Sequence, residues 1–390
     1  MSRLNDIAVI DVDTHYSEPH DLWTSRAPAK LRDRVPQTKV VDGQKVWVID
    51  GDKVMMPASP ASIIRKNGEV VLGTEFFGMD MEDVHPASYS VNERLAVMDE
   101  TGVFAQVLYP NLLGFGGHRA KMFPEDLRLL SIEIFNDAMA ELQEQSGNRL
   151  FPMALVPWWD MNAALKEVER CHGMGLRGIN TNPDPQDSGL PDLGTEHWTP
   201  LWDLCVSLDI PVNFHIGASD ATMDWFGTSP WPSLNPDHKL ALGSAMMYLT
   251  NAKIVGNLIY SGVLERHPQL KFVSVESGVG WLPFMLEALD YQVTCTPASA
   301  WSHLSMTPSE YFRRQFYACF WFEKHGLAQA LDLLGPDNIM FETDFPHPTC
   351  LYPNPLDFLA KEMADLPADV CRKVMGGNAS ALYHIDLPAA

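Results

Sequence analysis

Five ionisable residues stand at the ends of short apolar segments of this 390-residue sequence. The segment "VIDVDTH" ends in Asp13 and His15, "PVNFH" in His215, "FVSVE" in Glu276 and "NIMFETD" in Asp344. On a β-strand, residues i and i+2 lie on one face, so Asp13 and His15 should point in the same direction. Two imidazoles and two or three carboxylates are a suitable ligand set for Zn²⁺ or Mn²⁺, with positions left for water or substrate. The residue types therefore predict one divalent metal ion, if the fold brings these ends together.

The segments that carry these residues alternate with helical patterns. Counting the opening segment, we find eight strands: "AVIDVD", "VFAQVLYP", "RLFPMALVP", "LRGINTN", "PVNFHIG", "LKFVSVESG", "QFYACFW" and "NIMFETD". Strict alternation of strands and helices indicates a parallel sheet. Eight units in a chain of this length fit a closed (β/α)8 TIM barrel better than an open doubly wound sheet, and no GxGxxG motif follows an early strand. We predict a single barrel domain over residues 1–390.

In such a barrel, the carboxyl ends of the strands meet at one mouth, where the functional residues of these folds lie. Each ionisable residue also has a structural explanation of its own. A histidine at a strand end is often only hydrogen-bonded, and Asp344 could cap the turn in "TDFPHP". Their common position on one rim is harder to explain in that way, and it favours the metal site.

Residues 16–90 do not follow the alternation. The stretch is rich in Pro, Gly and Asp, and "KVWVIDGDKVMM" contains Asp50-Gly51, a two-residue hairpin turn between β-prone arms. A hairpin inserted after the first strand should lie over the barrel mouth, as a lid or as an oligomer contact. A second long loop, residues 217–238 with Trp225 and Trp231, is expected on the same rim.

The composition limits the partners and the compartment. A formal net charge of −22 argues against a nucleic-acid partner, because such binding needs a basic surface. No window approaches 18 uninterrupted apolar residues, "MSRLNDIAVID" lacks the apolar region of a signal peptide, and the six cysteines form no CxxC pair. We expect a cytoplasmic protein without a membrane partner, and a homodimer or higher homo-oligomer. The 11 Trp, 18 Phe and 19 Met indicate a rich core or an apolar ligand pocket.

Four stretches carry a resemblance to a known family. "VIDVDTHYSEP", "PVNFHIG", "NIMFETDFPHP" and "VMGGNASALY" resemble the amidohydrolase-related superfamily (amidohydrolase 2), in particular the branch typified by aminocarboxymuconate semialdehyde decarboxylase. The resemblance runs over essentially the whole chain. It implies a metal-carrying (β/α)8 barrel whose ligands are Asp13, His15, His215 and Asp344.

The sequence departs from the family pattern at two positions. Asp13 stands where founding members have His and several decarboxylases have Glu, and a carboxylate there favours a harder ion such as Mn²⁺, with Zn²⁺ still an alternative. Decarboxylases of this branch usually carry a His on the sixth strand, but here the stretch reads "VSVESGVGW". Glu276 could take over the acid/base role of that His, or it could bind the metal itself.

The predicted ligands suit two reactions. A hydrolase would use a metal-bound water, with Asp344 receiving its proton, whereas a decarboxylase would use the metal to hold the substrate carboxylate while a nearby acid protonates the carbon. The resemblance favours a non-oxidative decarboxylase of an aromatic or cyclic carboxylic acid. The alternative is a metal-dependent hydrolase of a C–C, ester, lactone or amide bond. We assign the catalytic roles to Asp344, Glu276 and His215.

Further candidates for substrate contact, supported by less specific patterns, lie near the other strand ends. Arg119, in the Gly-rich loop "GFGGHRAKMF", offers a guanidinium that matches a carboxylate. The others are an amide, an imidazole and two indoles, and each could equally be packing or turn chemistry: Asn180, His347, Trp158 and Trp321. We expect the substrate to be a small aromatic or apolar acid.

Overall fold

The structure, a computed structural model, describes Leu4, residues 6–224 and residues 231–388. Trp225 of the predicted second loop lies outside the described residues. The strands are β1 (Val9–His15), β2 (Gln37–Val41), β3 (Gln44–Ile49), β4 (Lys53–Pro57), β5 (Val103–Tyr109), β6 (Leu150–Pro152), β7 (Ala154–Leu155), β8 (Ile179–Asn180), β9 (Val212–His215), β10 (Phe272–Val275), β11 (Phe316–Phe320) and β12 (Ile339–Phe341).

The α-helices follow the strands as the alternation predicts. They are α1 (Val91–Thr101), α2 (Glu125–Gln145), α3 (Met161–Gly173), α4 (Thr199–Ser207), α5 (Asp220–Met223), α6 (Pro236–Met247), α7 (Asn251–Tyr260), α8 (Val263–Arg266), α9 (Leu282–Thr294), α10 (Pro308–Gln315), α11 (Gly326–Leu334), α12 (Pro355–Glu362), α13 (Ala368–Arg372) and α14 (Asn378–Tyr383). Among the described residues, none of these helices has the length and apolar character needed to cross a membrane.

The parallel strands close into a barrel. β1 pairs with β5 and β5 with β6, and β7 continues β6 after one residue. The remaining strands pair in the order β7-β8-β9-β10-β11-β12, all parallel. The seam between the last and first strands is closed by backbone hydrogen bonds from His15 to Phe345 O (2.7 Å) and from Asp344 to Asp13 O (2.9 Å). With β6 and β7 taken as one broken strand, the predicted (β/α)8 barrel is confirmed.

The barrel interior is filled by alternate apolar residues of its strands. Ile10 and Val12 of β1 belong to one buried cluster with Val273 and Val275 of β10. Burial of such side chains stabilises the barrel by about 1.5–3 kcal/mol each. The register of β1 against β5 shifts between Asp11 and Thr14, so the regular alternation breaks where the polar residues begin. The apolar interior therefore ends just before the mouth, and polar side chains take its place there.

The insertion after β1 carries the hairpin that the sequence predicts. β3 and β4 are antiparallel, but Ile49 pairs with Lys53, so the turn has three residues (Asp50, Gly51 and Asp52) and not the two that the sequence predicted. Asp50 and Gly51 both have positive φ. A third strand, β2, pairs with β3 and was not predicted. Its turn is a second Asp-Gly pair, Asp42-Gly43, again with positive φ at both residues. The signal for this strand was therefore present in the sequence.

The insertion is bound to the body of the barrel at several points. Trp23 Nε1 donates a hydrogen bond to Ser131 O on α2 at 2.9 Å. Arg34 forms an ion pair with Asp126 on the same helix at 2.6 Å. These contacts hold the insertion against the barrel. Its role as a movable lid stays a prediction.

Candidate metal centre and its cavity

Four buried side chains converge at the mouth of the barrel. Potential ligand atoms of Asp13, His15, His215 and Glu276 all lie within 4.8 Å of one another. His215 Nε2 is 3.1 Å from His15 Nε2, 3.5 Å from Asp13 Oδ1 and 3.2 Å from Glu276 Oε2. These residues come from the ends of β1, β9 and β10, so the closure of the barrel is what brings them together.

Asp344 and His347 adjoin this group from the segment that follows the last barrel strand. Asp344 Oδ1 is 3.5 Å from His15 Nε2, and the three residues His15, Asp344 and His347 form a second potential ligand group. The predicted ligands Asp13, His15, His215 and Asp344 therefore lie in one cluster, with Glu276 and His347 beside them. Which of them bind an ion stays a prediction. Below, "metal centre" denotes Asp13, His15, His215, Glu276 and Asp344.

Several polar atoms of the metal centre are buried without a hydrogen-bond partner among the described residues. They include both carboxylate oxygens of Asp13 and Oδ1 of Asp344. An unpaired buried polar group costs about 1–3 kcal/mol, and a charged one costs more. His215 Nδ1 lies 2.6 Å from Ile216 O, which places the proton of the neutral ring on Nδ1 and leaves the Nε2 lone pair facing the cluster. These atoms fit a divalent cation.

The ring of His347 supports the same conclusion. Asn111 Nδ2 donates to Tyr16 O at 3.2 Å, which directs its Oδ1 towards His347 Nε2 at 2.9 Å. His347 Nε2 is then the donor, and in the neutral ring Nδ1 presents a lone pair to Asp344 Oδ1 at 3.1 Å. Two acceptors face each other there unless a proton or a cation lies between them.

Several ionisable groups of the metal centre are crowded together under burial, and this shifts their pKa values. Burial and repulsion from Asp344 and Asp11 raise the pKa of Asp13 well above its usual value. Burial and repulsion from neighbouring carboxylates likewise raise the pKa of Glu276, and burial lowers the pKa of His215 to about 4. A divalent cation at this position would offset both the desolvation and the repulsion.

Two of the carboxylates stand on unusual backbone. Glu276 has φ 53° and Asp344 has φ 59°, in the left-handed region that non-glycine residues seldom occupy. Glu276 N donates to Glu342 Oε2 at 3.1 Å, which holds this conformation at the end of β10. Strand propensity alone could not predict these turns, and the supporting acid Glu342 was missed because it looked like an ordinary residue of the last strand.

A buried network behind the metal centre was also missed. Asp11 accepts hydrogen bonds from Thr343 N (2.8 Å), Thr343 Oγ1 (2.6 Å) and Gln106 Nε2 (3.2 Å), and burial raises its pKa to about 7. Arg94 donates to Gln106 Oε1 (3.1 Å) and to His15 O (2.5 Å). The network joins β1, β5 and the chain just before Asp344. The visible signal was Asp11 itself, an acidic residue inside an apolar strand.

A cavity of about 250 Å³ opens onto Glu276, Asp344 and His347. Apart from this polar end and Arg119, its lining is mainly apolar, and much of it comes from the insertion: Trp47, Met56, Pro57, Ala61, Phe76 and Phe77. The size and character are those of a small-molecule site that would bury an aromatic ring.

The predicted substrate contacts divide into two groups. Arg119 and His347 line the cavity. Asn180 and Trp321 stand one residue behind it: Asn180 Nδ2 donates to Phe115 O, and Trp321 Nε1 donates to Thr349 O at 3.3 Å. Trp158 is buried and packs against its neighbouring tryptophan, away from the lining residues. The structure thus does not bring Asn180, Trp321 or Trp158 to the cavity surface, and their contact with a substrate stays untested.

Comparison with known proteins gives relatives over most of the chain. The profile of the amidohydrolase family matches residues 10–385. Gamma-resorcylate decarboxylase from Polaromonas sp. strain JS666 is 27% identical over 231 residues, which cover 54% of this chain and 64% of that protein. The aligned part thus spans slightly less than two thirds of that relative.

Solved structures show the same fold. An amidohydrolase from Mycobacterium avium subsp. paratuberculosis K-10 has a TM-score of 0.74 and 24% identity, over 97% of this chain and 99% of that one. A dihydroxybenzoic acid decarboxylase from Polaromonas sp. JS666, solved with bound manganese and the inhibitor 2-nitroresorcinol, has a TM-score of 0.62 and 18% identity over 98% of both chains. Since the family profile spans nearly the whole sequence, the protein belongs to the amidohydrolase family, as the motifs at its strand ends indicated.

Proposed function

We propose that this protein is a metal-dependent, non-oxidative decarboxylase of an aromatic carboxylic acid. The observation that carries the proposal is the junction of two features: a buried cluster of imidazoles and unpaired carboxylates opens directly into a mainly apolar cavity. The similarity to gamma-resorcylate decarboxylase supports decarboxylation over hydrolysis. The solved relative with manganese supports a divalent ion of that kind.

Asp13, His15, His215 and Asp344 would hold the ion. When bound, it would supply a positive charge that orients the substrate carboxylate and a neighbouring oxygen and withdraws electron density from the ring. The apolar lining, including Phe115 and Leu112, would hold the ring and exclude water. Arg119 stands at the same cavity and can pair with a negatively charged or carbonyl oxygen.

Glu276 is the group we assign to proton transfer. It is buried, and it lines the cavity that would hold the ring of the substrate. In the reaction, the bond between the ring carbon and the carboxylate breaks, and its electron pair stays on the ring carbon. CO₂ leaves, and the ring carbon takes the proton of Glu276. A carboxylic acid here would replace the histidine that relatives of this branch carry on the sixth strand.

The test is decarboxylation by protein of defined metal content. Protein stripped with a chelator and reloaded with Mn²⁺ or Zn²⁺ is incubated with a panel of hydroxybenzoates, and CO₂ release is measured. In D₂O, the product should carry one deuterium at the vacated carbon. The proposal fails if no hydroxybenzoate releases CO₂ with either metal. Cleavage of esters or lactones by the same reloaded protein would favour the hydrolase instead.

A further inference from the structure

The cavity has a second region besides the metal centre. Six large apolar side chains form it, which we call the apolar wall: Trp47, Met56, Phe76 and Phe77 from the insertion, and Met223 and Met247 from the segment that precedes α7. Three of them are thioethers, which adapt to ligands of irregular shape. None of the six carries a charge, so this region favours an apolar part of a ligand.

Two polar groups that the insertion brings to the cavity already have hydrogen-bond partners. Glu18 Oε1 accepts hydrogen bonds from the backbone N–H of Asn111 (2.8 Å) and Leu112 (3.0 Å). Ser59 Oγ donates to Phe76 O at 3.3 Å. A hydroxyl or amino group placed against the apolar wall would lose its hydrogen bonds to water without equivalent replacements, and such a loss weakens binding.

The volume exceeds what a single ring needs. An apolar cavity of about 150 Å³ is sufficient for benzene, and the cavity here has about 250 Å³. The difference, on the order of 100 Å³, must also hold the carboxylate and hydroxyl groups of a hydroxybenzoate, and the remainder leaves space for a branched alkyl group. If an unsubstituted hydroxybenzoate bound at the metal centre, this space would be filled by water or closed by movement of the surrounding side chains.

The apolar wall is held in place from both sides. Thr74 donates to Asp237 Oδ1 from its backbone N–H and from its hydroxyl, each at 2.9 Å. This contact ties the short helical turn Gly73–Gly78, which carries Phe76 and Phe77, to α6, which carries Met247. The approach is so close that a Cβ at Gly73 would lie 2.4 Å from Asp237 Oδ1. This exposed contact therefore joins the two halves of the wall.

We infer that the preferred substrate is an aryl carboxylic acid that carries a bulky apolar substituent, and that the apolar wall binds this substituent. For the acid group of the substrate, the inference rests on the proposed decarboxylation. For the apolar substituent, it rests only on the residues of the apolar wall. The substrate class is thus a hydroxybenzoate with a branched alkyl group.

The first experiment compares substrates on the Mn²⁺-loaded protein. We expect kcat/KM to be about ten- to a hundredfold higher for the best ring isomer of tert-butyl-2-hydroxybenzoate than for 2-hydroxybenzoate, the scale for burying a group of this size. Phe77→Ala should remove most of this preference, measured as the ratio of kcat/KM for the two substrates. Phe77 is half-exposed, so this variant should fold; Phe76→Leu is a second, conservative variant. Phe284→Ala, at an exposed position outside the cavity, is the matched control.

The second experiment does not depend on turnover. Calorimetry measures binding of tert-butylphenols and of phenol, which resemble the products. We expect the best tert-butyl isomer to bind about tenfold or more tightly than phenol, and we expect Phe77→Ala to reduce the ratio of the two affinities.

The outcomes separate the two proposals. Decarboxylation with no gain from the tert-butyl group in either experiment overturns the inference and leaves the proposed function intact. Selective binding of tert-butylphenol that depends on Phe77, without CO₂ release from any acid, supports the apolar wall as a binding site and overturns the decarboxylase.

Discussion

The metal centre and the apolar wall bound the same cavity, yet they are built in opposite ways. The metal centre consists of side chains on barrel strand ends or the residues that directly follow them, and charged groups crowd together there under burial. The apolar wall consists of uncharged side chains, four of which belong to the insertion: Trp47 on β3, Met56 on β4, and Phe76 and Phe77 on the helical turn Gly73–Gly78. We propose that the two parts have different roles: the barrel carries the catalytic groups, and the insertion determines which substrate binds.

The metal centre should be the more sensitive of the two regions. His215→Ala removes an imidazole from the centre of the cluster, where Nε2 lies within 3.5 Å of His15, Asp13 and Glu276. We expect loss of stoichiometric Mn²⁺ or Zn²⁺ and a fall in kcat/KM of about 10³-fold or more, because metal-dependent charge stabilisation is lost. Elemental analysis and CO₂ release measure the two effects.

The fold should survive this change, since His215 ends its strand and the apolar interior lies below it. Circular dichroism is the control. Full metal content and normal turnover in this variant would show that His215 is not a ligand. The metal centre would then no longer be more sensitive to substitution than the apolar wall.

Glu276→Gln should produce the next largest effect. The change keeps the shape of the side chain but removes its proton-transfer ability, and we expect kcat to fall about 10²-fold. If Glu276 transfers the proton, the metal content stays at the wild-type level. If it binds the ion, metal and activity are lost together. Near-normal turnover with full metal occupancy would contradict both roles and would leave Asp344 as the remaining acid/base group.

The sequence predicted the positions of the metal centre better than the means by which they are held. The barrel followed from local periodicity, and closure of a parallel barrel necessarily brings strand ends together. The positive φ of Glu276 and Asp344 and the register shift in β1 arise from contacts between strands. Long-range contacts of this kind leave no local pattern in the chain.

The insertion was predicted less completely. The turn at Asp50-Gly51 was recognised, whereas the equivalent pair Asp42-Gly43 and its strand were not. The residues of the apolar wall carry no motif, because any large apolar side chain could fill such positions. Only the folded chain shows that they share a cavity with the metal centre.

A substitution of Arg94 tests how far the metal centre depends on the buried hydrogen-bond network behind it. Its guanidinium donates to His15 O and to Gln106, and it lies 4.4 Å from the ring centre of Phe345, next to Asp344. Arg94→Met should reduce metal affinity or kcat about ten- to a hundredfold, the usual effect of a change behind the ligands. A metal titration distinguishes positioning from mere loss of stability, which a thermal melt records separately.

Arg94→Lys is the matched control for this change. It keeps a positive charge but lacks the fork that serves two acceptors, so we expect only partial recovery of metal affinity. Wild-type metal affinity in Arg94→Met, with a lowered melting temperature alone, would show that the residue supports the fold and does not position the ligands.

The smallest effect is expected at the outer edge of the apolar wall. Asp237 is exposed, and its contact with Thr74 joins the two halves of the wall. Since exposed polar contacts contribute about 0.2–1 kcal/mol, Asp237→Ala should raise KM for a tert-butyl-substituted substrate only about two- to fivefold. Metal content and turnover of 2-hydroxybenzoate should not change, because the metal centre keeps all its contacts. His238→Ala, an exposed change on the same helix, should leave both substrates unaffected. Equal effects of Asp237→Ala on the two substrates would mean that the contact supports the fold in general. The proposal that the apolar wall selects the substrate separately from the metal centre would then lose its support at this contact.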